Sequence, residues 1–191
     1  MAEDKTAYLQ EMAGFLKDVI IKEVEAKNES NVLGEPKITK QVIYEYESRM
    51  RVTALEKFNS AGYVAGTGFY KTQKNLESHE ASGAIVLYVK EEEIEQTFKW
   101  FGHKIAEEEE DQCIDACGKV GALIAEQFKK SLVAHGYAEL VSSPTYSFRN
   151  TMPAGIDFSF DQYDKYEILF SVKGSPRLAI DVTMTSKIPK K

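Results

Sequence analysis

Cysteine is scarce. Cys113 and Cys117 are the only two among 191 residues, so no disulfide framework is expected and a cytoplasmic setting is the simplest reading. Long hydrophobic runs are also missing. The longest, Gly83-Ala84-Ile85-Val86-Leu87-Tyr88-Val89, falls far short of the ~20 apolar residues a helix needs to cross a bilayer. The opening Met1-Ala2-Glu3-Asp4-Lys5-Thr6 has neither the basic flank nor the apolar stretch of a signal peptide. No basic stripe exists either. The only basic cluster, Lys187-Ile188-Pro189-Lys190-Lys191, is too short to replace counterions along a nucleic acid, which argues against DNA or RNA as the main ligand. Common catalytic motifs are absent: Gly62 to Gly68 does not form a P-loop, no dinucleotide fingerprint follows a strand, and no nucleophile elbow is present. His79, His103 and His135 stand apart from any partner at metal-ligand spacing and read as structural or surface residues.

What is present is a globular composition, 43% hydrophobic and 28% charged, in a chain long enough to bury roughly 70% of its unfolded surface. The net charge of −6 is unevenly spread. Between Glu91 and Asp111 nine acids face only Lys99 and Lys104, so this segment carries −7 and the remainder +1. Both acidic runs precede helical patterns, where carboxylates complement the positive end of the helix dipole.

Periodicity supplies the elements. Tyr8, Met12, Phe15, Val19 and Leu16, Ile20, Val24 recur at three- and four-residue steps, predicting a helix over 6–27. A polar loop is expected over 28–41. Tyr44, Tyr46, Ser48, Met50, Val52 and Ala54 alternate with charged residues and Thr53, predicting one long strand with a single packed face. Further strands are expected over 62–71 and 84–89, then a short helix over 91–100 with Gly102 as its C-cap. Ile114, Cys117, Gly121, Ile124 and Phe128 form the core stripe of a long helix over 107–134. Pro144 makes the stretch 137–149 an edge strand or a bulge. Tyr166, Ile168, Phe170, Val172 and Leu178, Ile180, Val182, Met184 flank Gly174-Ser175-Pro176 as a hairpin. The whole reads as one α+β domain over 1–191: a first half 6–89, a linking helix 91–104, a second half 107–185 and a short basic tail 186–191. Each half is helix–βββ, a pseudo-two-fold repeat with a largely antiparallel sheet and long helices packed on it. Cys113 and Cys117 lie one turn apart on a single helix, a poor placement for a disulfide.

The exposed stripe of the long helix holds Asp115, Lys119, Ala122 and Glu126, within Asp115-Ala116-Cys117-Gly118-Lys119-Val120-Gly121-Ala122-Leu123-Ile124-Ala125-Glu126. Ser142-Ser143-Pro144-Thr145 follows about two dozen residues later. This arrangement resembles the signature of the chemotaxis phosphatase family that includes CheX and CheC, with CheX the nearer. There an Asp or Ser precedes a Glu by four, an Asn follows the Glu by three, and a Pro comes some two dozen residues on. The resemblance runs over roughly 82–184, through the strand 82–89, the acidic helix start and the closing hairpin.

That resemblance implies a CheC/CheX-like fold, a homodimer, and removal of phosphate from the aspartyl-phosphate of a CheY-like response regulator. The Glu would pair with the regulator, the Asn would orient the attacking water, and the regulator would bring the magnesium, so no cofactor or metal site is expected in this chain. Positioning a water in line is most of what such a reaction asks. Asp115 and Pro144 match, Pro144 about one position early. Lys119 stands where the Glu is expected, Ala122 where the Asn is expected, and Glu126 where a small Gly is expected. An alanine methyl cannot hold a water, and lysine reverses the charge. Glu56 to Asn59 and Glu25 to Asn28 share the Glu–Asn spacing but sit at element ends. The expectation is a CheX-like signalling protein that binds a regulator through Asp115, Lys119, Ala122, Glu126 and Pro144 without phosphatase chemistry. The alternatives are an active phosphatase using Glu126 or Asp115, and a small-ligand module lined by the aromatics of 44–54. Self-association is expected through the edge of 44–54 or of the closing hairpin.

Overall fold

The computed structural model describes residues 2–30, 32–105 and 109–190. Two long helices carry the apolar stripes. In α1 (Ala2–Glu25), Leu9, Met12, Leu16, Ile20 and Val24 are buried at helical spacing. In α5 (Glu110–Ala134), Cys113, Cys117, Val120, Gly121, Ile124, Phe128 and Leu132 are buried. The expected start of this helix, at Glu107, lies outside the described residues. Two short helices, α2 (Ala54–Phe58) and α3 (Gln73–Glu77), lie between the long ones. A 3-10 turn at Glu91–Glu93 leads into α4 (Ile94–Trp100). Gly102, at φ 82°, follows α4 in the left-handed conformation that closes helices.

The strands are β1 (Lys37–Val42), β2 (Glu45–Tyr46), β3 (Arg49–Val52), β4 (Gly62–Tyr70), β5 (Gly83–Lys90), β6 (Val141–Ser142), β7 (Tyr146–Asn150), β8 (Ala154–Ile156), β9 (Asp164–Val172) and β10 (Ser175–Met184). The main sheet has the order β1-β9-β10-β5-β4, with β6 and β7 both on the outer edge of β4, and every pair is antiparallel. The two halves interlock. β5 and β10 meet at the centre, β4 and β9 flank them, and the first sheet strand of each half crosses to pair with the other half. Helices α1, α4 and α5 cover one face over Tyr63, Ala65, Ile85, Leu87, Ile168, Ile180 and Val182. The small sheet β2-β3-β8 and α2 cover the other, over Val64, Val86, Tyr88 and Ala179. With both faces covered, β4 is buried along its whole length. This explains why the β5 region reads as a continuous apolar run rather than an alternation.

The closing hairpin forms as expected, but its turn is Lys173-Gly174, whose φ values of 52° and 80° match strand twist, and Ser175 and Pro176 already pair in β10. Pro144 also sits as expected. Thr67 and Gly68 of β4 face the three residues Ser143, Pro144 and Thr145, an edge bulge that separates β6 from β7.

Three expectations are corrected. The stretch 44–54 is not one strand. Glu47 and Ser48, at φ 51° and 62°, reverse the chain between β2 and β3, and Ala54 already begins α2. In a two-residue hairpin Tyr46 pairs with Arg49 and Glu45 with Met50, so the parity of the packed face flips at the turn. Met50, Val52 and Ala54 are buried, while Tyr44 and Tyr46 are exposed. The polar loop 28–41 contains an element, because β1 is stabilised by pairing with β9 more than a hundred residues away. Finally, the closing hairpin offers no edge: β9 lies between β1 and β10, and β10 lies between β9 and β5.

Candidate functional site

Helix α5 presents Asp115, Lys119, Ala122 and Glu126 on one exposed face. Its opposite face is anchored on β4, with Phe128 tilted against Phe69 at 5.7 Å between ring centres, each buried ring worth about 1.5–3 kcal/mol. The helix comes unusually close to its neighbours at Gly121. A Cβ there would lie 2.6 Å from Ala65 Cβ and 3.3 Å from Thr145 Cγ2. The segment holding Pro144 therefore runs beside the stripe. Ser147 Oγ donates to the Ile114 carbonyl at 2.8 Å, and Lys129 Nζ donates to Ser142 Oγ at 3.3 Å. Pro144 is exposed between these two contacts. The five residues singled out from the sequence thus share one side of the molecule.

Their charges are mostly used among themselves. Lys119 Nζ lies 2.6 Å from Asp115 Oδ2, and Glu126 lies 3.3 Å from Lys129 and 4.0 Å from Lys130. Such acid-before-base pairs on a solvated helix contribute about 0.2–0.5 kcal/mol each. Ala122 adds only a methyl group to the surface. Cys113 and Cys117 are buried thiols that no disulfide joins. Burial, and then Cys113, pushes the Cys117 thiol far above its ordinary range, so it holds its proton and is no nucleophile. Among the described residues no three His, Cys, Asp or Glu side chains cluster as a metal site, and no helix is long and apolar enough to cross a membrane.

Two polar constellations lie on the other face of the sheet, and neither was legible from spacing. The first surrounds Asp181, a fully buried carboxylate on β10. Its Oδ1 takes Lys57 Nζ at 2.7 Å, and its Oδ2 takes Lys165 Nζ at 2.6 Å and the Tyr88 hydroxyl at 3.1 Å. Lys57 also pairs with Glu167. Burial alone would raise the Asp181 carboxyl, but Lys165 and Lys57 hold it below its ordinary value. The second centres on Asp157, just beyond β8. Its Oδ1 lies 3.2 Å from Arg49 Nε, and its Oδ2 meets His79 Nδ1 at 2.9 Å and the Tyr70 hydroxyl at 3.3 Å. These groups line a cavity of about 410 Å³ that also reaches Pro144 and Tyr146. Burial and the Asp157 charge push the Tyr70 hydroxyl up to about 12. The local signal available was only the odd-numbered Arg49 in an alternating stretch and a lone His79.

Neither protein-family models nor curated protein sequences match this chain. Solved structures do. A chemotaxis protein CheX from Vibrio vulnificus is similar at 10% identity and a TM-score of 0.58, over 90% of this chain and 97% of that one. A CheC-like superfamily protein from Shewanella sp. PV-4 is similar at 15% identity and a TM-score of 0.59, over 90% and 95%. A chemotaxis protein CheX from Desulfovibrio desulfuricans is similar at 14% identity and a TM-score of 0.56, over 91% and 99%. At these identities the likeness is one of fold, and the fold is that of CheX and CheC.

Proposed function

We propose that this chain is a CheX-like chemotaxis signalling protein that docks a CheY-like response regulator on the α5 stripe and does not dephosphorylate it. One observation carries the reading. At the two positions where the resemblance puts the catalytic pair, the stripe exposes the Ala122 methyl, which cannot orient a water, and a Lys119 ammonium already paired with Asp115 at 2.6 Å. The fold similarity to chemotaxis proteins supports the signalling role. In this reading Asp115, Lys119, Ala122, Glu126 and Pro144 form the contact surface, and any magnesium belongs to the regulator. Such a partner places the protein in the cytoplasm. A homodimer is part of the same proposal: β1 is an open edge strand with Ile38 and Val42 exposed. Light scattering that returned a monomer mass at high concentration would remove that part.

The test follows aspartyl-phosphate on response regulators of the same cell. Decay is measured with no added protein, with wild type, and with Lys119→Glu/Ala122→Asn. The expected result is no acceleration by wild type and acceleration by the double variant, because the docking surface survives and only the chemistry is restored. Acceleration by wild type overturns the inactive reading, and no acceleration by either form overturns the docking surface.

A further inference from the structure

The Asp157 cavity has the makings of a ligand site, and it lies on the face of β4 opposite α5. Ala65 and Phe69 point toward α5, while Val64, Gly68 and Tyr70 are on the other side of the pleat. Asp157 aims two nitrogen-rich groups at one space. Its Oδ2 takes His79 Nδ1, and the His79 side chain, 70% exposed, borders the cavity. Its Oδ1 holds Arg49 by Nε. Apart from this ion pair, the guanidinium has no partner among the described residues. The Arg49 stem lies flat on the chain at Gly155, where a Cβ would come 2.8 Å from Arg49 Cβ. His79 is held at φ 57°, a left-handed conformation that is uncommon outside glycine and is often found at functional positions. The walls between these heads are aromatic and apolar: Tyr70, Tyr146, Leu76 and Ile156.

We propose that this cavity binds a small molecule with an oxyanion head, a carboxylate or a phosphate, and a flat apolar body. A planar guanidinium presents paired donors that match the two oxygens of such a head. With Nδ1 turned to Asp157, a proton on Nε2 would make His79 a second donor to the head group. The Arg49 guanidinium offsets the charge of Asp157, whose oxygens also meet His79 and the Tyr70 hydroxyl. A flat body then lies against the tyrosine rings, the arrangement usual in small-molecule pockets with few convergent polar groups. The proposal rests on Arg49, His79 and Asp157, none of which belongs to the docking surface on α5; only Pro144 borders both.

The experiment titrates the full chain with phenyl phosphate, benzoate and, as the neutral control, benzyl alcohol. Arginine side-chain Nε–Hε signals are followed by NMR, since the sequence has only Arg49, Arg51, Arg149 and Arg177. The expected result is a saturable shift at Arg49 with at least one charged probe and none with benzyl alcohol. Arg149 and Arg177, paired with Glu91 and Glu93, stay in place. Arg49→Gln removes the Arg49 reporter, so its binding is followed through the His79 ring signals, and it weakens binding about tenfold or more, the size of a lost charged hydrogen bond. His79→Gln, which alters a solvent-facing ring and so leaves the core intact, weakens it severalfold. The stronger of the two charged probes names the head group. Shifts that stay linear with concentration, that benzyl alcohol reproduces, or that survive both substitutions would overturn the site.

Discussion

Replacing Asp181 with asparagine keeps the size of the side chain and removes one charge from a site that water does not reach. In the native protein two carboxylates, Asp181 and Glu167, face two ammoniums, Lys57 and Lys165, so the cluster is neutral. Asp181 is fully buried, and Lys57 and Lys165 expose only 6% and 9% of their side chains. Asparagine leaves one positive charge in excess, and its amide NH₂ must face a donor in either orientation, Lys57 in one and Lys165 with the Tyr88 hydroxyl in the other. Breaking a buried ion pair in this way costs about 3–5 kcal/mol. With a urea slope of about 2 kcal/mol/M, the unfolding midpoint should fall by roughly 1.5–2.5 M. Lys165→Met alone should also be costly, since it leaves an excess negative charge. The double variant Asp181→Asn/Lys165→Met again balances charge, with Lys57 facing Glu167. It should therefore be less destabilised than the two singles together, by about 1–3 kcal/mol. Equilibrium urea unfolding of the four proteins measures the cycle. A loss below about 1 kcal/mol for Asp181→Asn, or strict additivity, would refute the view that charge balance holds this cluster.

The same cluster predicts acid lability. Asp181 and Asp161 both have carboxyls held below their ordinary value against the effect of burial, Asp181 by two lysines and Asp161 by Ser159, Thr185 and Lys187. A lowered folded pKa contributes stability that is fully present above the unfolded value of about 3.9 and is lost as pH falls through the folded value. Thermal midpoints should therefore drop below about pH 4, and Asp181→Asn should flatten that drop. Gly121→Val should cost about 1–3 kcal/mol by overpacking against Ala65 and Thr145, whereas Ala122→Val, on the exposed stripe, should shift the urea midpoint little. Asn150→Ala should cost about 1–2 kcal/mol. The Asn150 carbonyl oxygen accepts from the Ala54 backbone N–H at 2.7 Å from across the sheet, and its amide donates to the Met152 carbonyl. Asn150→Asp, which keeps the acceptor, should recover part of that loss in the same unfolding assay.

Elements that are amphipathic within themselves were legible from the sequence. The three- and four-residue steps of α1 and α5, the alternation of β9 and β10, and the seven-residue apolar run of β5 each report a burial pattern within a single window of chain. The stripe Asp115–Glu126 was legible for the same reason, since helical spacing alone puts those residues on one face. Reversal in the stretch 44–54 was not legible, because Glu47-Ser48 lacks the Gly, Asn or Asp that marks a left-handed turn. The alternation also runs through a two-residue turn without a break, although the packed face changes sides there. Only tertiary pairing settled the rest. β1 exists because β9 lies beside it, and the bulge at Pro144 exists because β4 is one residue shorter than the edge it faces. Arg49, His79 and Asp157 share a cavity although 108 residues separate the first from the last. Local periodicity records which face a residue turns inward. Which distant residues that face meets is decided by how the layers close on one another, and no window of sequence contains that information.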